Sequence, residues 1–170
     1  LDPGNGELAR MLIYTRANVA ELYNCLQRPR EGLAEIEAIL PQFRQLRDAD
    51  PADQVAPVAL AAALNIVGES RLQLGDFAVA RATFEEAAPL VSAQIAAQSP
   101  DIQLIAGGTQ SGLARSLKAL AASGTASDRI ALGRQAEAAG HRALDYPVPI
   151  AGTAGVKLDA TRQIEAVRGT

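Results

Sequence analysis

His141 is the only histidine and Cys25 the only cysteine in this chain. Any chemistry they perform needs partners of other residue types. A histidine acting as general base requires a nucleophile and an orienting group, and no motif around His141 supplies them, so it reads as a surface or partly packed residue. Cys25 follows Asn24 near a helix end, with no cation close in sequence to activate it. It reads as a buried or idle thiol. A single cysteine makes neither an internal disulfide nor a thiol-based metal site, and it leaves the compartment open. Gly107-Gly108 is half of a phosphate loop, but no Gly-Lys-Ser/Thr follows it. It falls inside a predicted helix, where a close helix crossing or a kink is the expectation. Glu35 with Glu37, and Glu85 with Glu86, are carboxylate pairs in sequence alone, because residues one or two apart do not share a helix face. No catalytic residue, metal site or cofactor is expected, and this fragment is not expected to be an enzyme.

One polar pattern has a functional spacing. Asn65, Glu69 and Gln73 stand four apart on an otherwise apolar helix and so form one stripe. The matching residues of an earlier helix are Tyr14, Asn18 or Ala17, Glu21 and Asn24. Those of a later helix are Ser111, Arg115 and Lys118. Acids on two helices and cations on the third suit an extended peptide or a partner helix. An amide such as that of Asn65 can bond a peptide backbone whatever its sequence. The plainer alternative is that these residues are the wet face of each helix.

These helices recur at a fixed interval. Asp2-Pro3-Gly4-Asn5, Asp50-Pro51-Ala52-Asp53 and Ser99-Pro100-Asp101 open three stretches, with their prolines 48 and 49 positions apart. A period of this size indicates stacked supersecondary units that bury their apolar faces against one another. The units span about 1–49, 50–98 and 99–145, followed by a connector and short helix at 146–170. Apolar spacing predicts helices over 6–26 (Leu8, Leu12, Ile13, Val19, Leu22, Leu26), 30–48, 54–74, 77–98, 101–122 and 127–145. Ser127 or Asp128 is expected to cap the sixth. Pro41 and Pro89, 48 apart, fall at the same place in two second helices, so both helices should bend there or break and restart. A final helix over about 156–168, with Val156, Leu158, Ile164 and Val167, is expected to cap the stack.

The stretch from Ala61 to Leu90 carries the most specific pattern. Val67-Gly68 is followed by Gly75-Asp76-Phe77, then Ala80, Phe84 and Ala87. This resembles a tetratricopeptide (TPR) repeat, in which small residues let two helices approach and large ones fill the gap. Forty-eight residues earlier the pattern is weaker: Gln27 replaces the turn glycine Gly75, and Gly32 stands in the place of Ala80. In the third unit Leu113-Ala114-Arg115-Ser116-Leu117 resembles a first helix, and the stretch from Gly133 to Ala138 resembles a turn entering a second. The intervening 121–132 either extends that second helix or shifts its register. The long period, with Asp-Pro turns between long helices, is similar to the TPR region that follows the catalytic domain of bacterial serine/threonine kinases. The resemblance covers about residues 1–145, and no kinase motif is present. It implies a sensory or docking region, outside the cytoplasm in membrane-anchored members, hence periplasmic in such a parent and cytoplasmic otherwise.

Composition sets the outer limits. The chain has 170 residues, 48% hydrophobic and 4% aromatic, with alanine the commonest. Such a composition suits closely packed helices better than a sheet. Lys118 and Lys157 are the only lysines, and the arginines are scattered over a net charge of −3. The basic footprint of a nucleic-acid binder is missing. No unbroken run of 18 apolar residues suggests insertion into a membrane, and no signal peptide is visible. Because the chain enters a repeat almost at Leu1, it reads as a piece of a longer protein. The expected fold is all-α: a TPR-like right-handed superhelix of three helical hairpins plus a C-terminal capping helix. The leading expectation for function is a non-catalytic protein-interaction or sensory module with a protein or peptide in its concave groove. The alternatives are an oligomerisation scaffold built through the first helix, and a small-molecule receptor in the same groove.

Overall fold

The computed structural model describes residues 3–50, 52–97 and 99–146, and all of its regular structure is helical. The helices are α1 (Pro3–Cys25), α2 (Pro29–Ala49), α3 (Val55–Leu74), α4 (Phe77–Ala87), a 3₁₀ turn (Ala88–Val91), α5 (Ala93–Ala96), α6 (Pro100–Ser123) and α7 (Ala126–Leu144). The expected C-terminal capping helix lies outside the described residues. Consecutive long helices pack as hairpins, α1 on α2, α3 on α4 and α6 on α7. The first helices of these hairpins, α1, α3 and α6, also touch in that order and form one layer. In the other layer, Arg44 of α2 pairs with Glu86 of α4 at 2.9 Å, and Ala80 and Phe84 of α4 share a cluster with Ala139 of α7.

The turns show how the sequence sets these boundaries. After α3, Gly75 takes a left-handed φ of 83°. Its N–H bonds the Leu72 carbonyl at 3.1 Å, and the Asp76 N–H bonds the Arg71 carbonyl at 2.9 Å. This is a Schellman end, which glycine adopts without a Cβ penalty. The turn after α1 is built the same way with Gln27, at φ 58°. There Gln27 N–H bonds Asn24 O at 3.1 Å and Arg28 N–H bonds Tyr23 O at 2.9 Å. The Asp-Pro turn before α3 ends on Asp53, whose carboxylate accepts from the Val55 and Ala56 N–H groups at 2.8 and 3.1 Å. Those bonds hold its carboxyl below the ordinary aspartate range.

Some expected boundaries hold and others move. At Pro89 the expected break and restart occurs: α4 ends at Ala87, and Pro89 stands in the first turn of a 3₁₀ helix. By contrast, α2 runs unbroken through Pro41. The bond that Pro41 cannot make is to the carbonyl of Glu37, and both residues are exposed, so water can take that carbonyl. The cap of α7 is Thr125, neither Ser127 nor Asp128. Its hydroxyl accepts from the Asp128 N–H while the Asp128 carboxylate accepts from the Thr125 N–H, a reciprocal capping box. Gly133 lies inside α7 and makes no turn, so the additional residues of the third unit lengthen the start of its second helix.

The core lies between the layers. Ile36, Ile39, Phe43, Leu60 and Leu64 are almost fully buried between α2 and α3. Phe84 fills the gap between α3 and α6 because both backbones leave it room. A Cβ added at Gly68 would lie 2.5 Å from the Phe84 ring, and one at Gly112 would also collide with it. Helix α3 is long and apolar enough by length and composition to cross a membrane. Here it is the central helix, packed by α1, α2, α4 and α6. The expected apolar face of α1 behaves differently. Of its six residues only Ile13 packs against the core; Leu8, Leu12, Val19, Leu22 and Leu26 are exposed. Ala17 and Ala20 face the core instead.

Candidate functional site

The polar residues of the first-helix layer divide into two groups. The first holds the layer together. Asn24, only 4% exposed, donates from Nδ2 to the Ile66 carbonyl at 3.1 Å. The Ser70 hydroxyl sits 2.8 Å from Asn24 Oδ1 and 3.0 Å from Ile66 O, and donates its one proton to one of them. The same arrangement joins α3 to α6. Asn65 Nδ2 donates to Ile105 O at 3.0 Å, and the Thr109 hydroxyl lies 2.9 Å from both Asn65 Oδ1 and Ile105 O. Each asparagine therefore bonds a carbonyl of the next first helix, together with the hydroxyl one turn further along that helix. A small residue admits the Asn24 amide: a Cβ at Gly32 would come within 2.8 Å of its Oδ1, whereas one at Gly108 would meet Asn65 Nδ2 at 3.5 Å, an ordinary contact. Gly107-Gly108 lies inside α6, as the sequence places it.

Gln73 adds a bond from Nε2 to the Asn24 carbonyl at 3.2 Å, while its buried Oε1 has no protein partner. Glu69 and Arg115 form a two-pronged pair across α3 and α6, at 3.2 and 2.5 Å. Of the nine residues Tyr14, Glu21, Asn24, Asn65, Glu69, Gln73, Ser111, Arg115 and Lys118, five are therefore engaged between helices. Tyr14 is half-buried with its ring 5.7 Å from that of Phe43.

Glu21 on α1 and Ser111 and Lys118 on α6 remain exposed, and their side chains have no polar partner among the described residues. Ser111 and Lys118 lie four residues before and three after Arg115 on α6, and Glu21 lies on α1. Glu21 reaches solvent, yet the surrounding chain displaces enough water to push its carboxyl up from the ordinary glutamate value. The face can thus offer an acid on one helix, a neutralised pair in the middle and a cation on the third. Sequence reasoning placed Asn24 and Asn65 in the stripe but missed Ser70 and Thr109. The available signal was a hydroxyl residue 46 and 44 positions after each asparagine.

The other candidates for chemistry are scattered. His141 is exposed, with Glu137 at 3.9 Å, and Cys25 is exposed. Glu35, Glu37, Glu85 and Glu86 each bond a different arginine: Arg16, Arg71, Arg81 and Arg44. Among the described residues no three His, Cys, Asp or Glu side chains converge as metal ligands. Comparison with known proteins returns no matching family model, no matching curated protein and no matching solved structure.

Proposed function

We propose that this chain is a non-catalytic interaction module, a TPR-like right-handed superhelix of three hairpins whose first helices line a concave groove. The observation that carries the proposal is the side-by-side layer of α1, α3 and α6, held in register by the two asparagine contacts. Glu21, Ser111 and Lys118 face solvent from it. An extended peptide or helix crossing that layer would place a basic residue over Glu21 and an acidic one over Lys118. The resemblance to the region after bacterial serine/threonine kinase domains gives the proposed setting, a sensory or docking part of a larger signalling protein.

Selection of displayed random peptides on the immobilised chain tests this. Enriched peptides should carry basic and acidic residues at a fixed separation, and exchanging the groove charges (Glu21→Lys with Lys118→Glu) should reverse their order. Absence of enrichment over a blank surface, or enrichment indifferent to the exchange, would remove the groove from the account. A scaffold role is the second reading, favoured by the apolar outer face of α1.

A further inference from the structure

Leu8, Met11, Leu12, Val19, Leu22 and Leu26 are between 41% and 66% exposed on α1 and the turn that follows it. The turn residue belongs to the same surface, since the Leu26 N–H still bonds Leu22 O at 3.0 Å. Leu8, Leu12, Thr15, Val19, Leu22 and Leu26 alternate in steps of four and three, the spacing of a seam that packs against another helix. No charged residue occurs in that seam. Its one polar member, Thr15, already donates its hydroxyl to the Met11 carbonyl at 2.8 Å, so covering it leaves no donor unmet.

The equivalent positions in α3, 48 residues on, are Ala56, Leu60, Ala63, Val67, Ser70 and Leu74. The first five are buried and Leu74 is partly buried, in a helix that packs on the preceding hairpin. Helix α1 therefore presents the face by which α3 joins its neighbour. It does so with bulkier side chains at three positions: Leu8 for Ala56, Thr15 for Ala63 and Leu22 for Ser70. Solvent contact gives no reason for larger apolar groups there, whereas contact with another helix does.

We infer that this face is an interface between two copies of the chain, the two α1 helices running antiparallel about a twofold axis at the level of Ala17. The seam is self-complementary under that axis. Leu8 meets Leu26 of the second copy, Leu12 meets Leu22 and Thr15 meets Val19, every pair centred on position 17. Such a contact is isologous and closes on itself. Covering the six exposed residues removes roughly 500 Å² from each copy, about 1,000 Å² in all, which reaches the threshold for a specific interface. A head-to-tail stack is disfavoured because the outward side of α7 carries exposed Arg129, Arg134, Glu137 and His141, which would be buried against the apolar seam.

Two measurements on the whole chain test the inference. Sedimentation should give a reversible dimer, and Leu12→Glu or Leu22→Glu should raise its dissociation constant at least about a hundredfold with helix content unchanged. A nitroxide on the native Cys25 needs no substitution. Cys25 lies eight residues from the axis, so two labels sixteen residues apart along antiparallel helices sit about 25 Å apart, against about 10 Å for a parallel pair. A distance near 25 Å supports the arrangement. A wild-type monomer at every concentration, a dimer indifferent to both substitutions, or labels near 10 Å would each overturn it.

Discussion

Helices α1 and α3 are two readings of one pattern. Leu60 is fully buried and Val67 is 6% exposed, whereas their equivalents Leu12 and Val19 are 62% and 41% exposed. The residue types at these two pairs are identical. What differs is the neighbour: among the described residues α3 has a hairpin on each side, and α1 has one on one side only. In a stacked repeat, the energy of an apolar side chain belongs to the interface between units as much as to the unit that carries it.

The largest expected break in this comparison comes from truncating the paired leucines. Leu60→Ala should cost about 2–5 kcal/mol in urea unfolding. Leu12→Ala, at concentrations where the chain is monomeric, should stay within about 0.5 kcal/mol. Equal losses would mean that α1 is covered in the monomer. Next is Gly112→Ala, which drives a methyl into Phe84 and should cost about 1–3 kcal/mol. Adding Phe84→Leu should recover part of that loss, and a failure to recover would locate the strain elsewhere.

A third test sets the bonds inside the first-helix layer against the ion pair on its surface. Asn24→Ala should lose about 1–3 kcal/mol, with non-additivity alongside Ser70→Ala, because the two share one contact. Arg115→Ala should lose no more than about 1 kcal/mol, since Arg115 and Glu69 both remain wet. The two turns give a smaller difference of opposite sign. Gln27→Gly should stabilise by roughly 0.5–1 kcal/mol, by relieving a left-handed residue, and Gly75→Ala should destabilise by a similar amount.

The smallest effects lie in pH dependence, with opposite signs at Glu21 and Asp53. Glu21 holds its proton more tightly when folded. Its contribution is therefore favourable at low pH and is lost as pH rises from the ordinary glutamate value through the raised folded one. Glu21→Gln should stabilise slightly at neutral pH and not in acid. Asp53 is held below the ordinary range by the backbone N–H groups at the start of α3. Its contribution is present above the ordinary aspartate value and is lost as pH falls through the lowered one. Melting curves of Asp53→Asn and wild type should converge in acid.

The helices were legible because prolines, glycines and Asp-Pro turns mark their ends, and the α3–α4 unit because Gly68, Gly75 and Phe84 play roles that few residues can fill. What escaped the sequence depended on three-dimensional partners. Periodicity finds an apolar stripe on α1 but cannot say whether a helix lies against it. Pro41 and Pro89 occupy equivalent positions, yet α2 continues through one and α4 ends before the other. The nine stripe residues look alike in spacing, but Asn24 and Asn65 join helices while Glu21 and Lys118 face water. That division depends on which carbonyl and hydroxyl each amide meets across a helix gap, and a single-helix pattern does not carry it.

The most direct test of the account is the solvent accessibility of individual methyl groups, read by NMR with a soluble paramagnetic agent at low and high protein concentration. Leu60 and Val67 should be shielded at both concentrations. Leu12 and Val19 should be strongly broadened in dilute protein and become shielded as concentration rises. Shielding of Leu12 and Val19 equal to that of Leu60 and Val67 in dilute protein would contradict the difference between α1 and α3 on which the account rests.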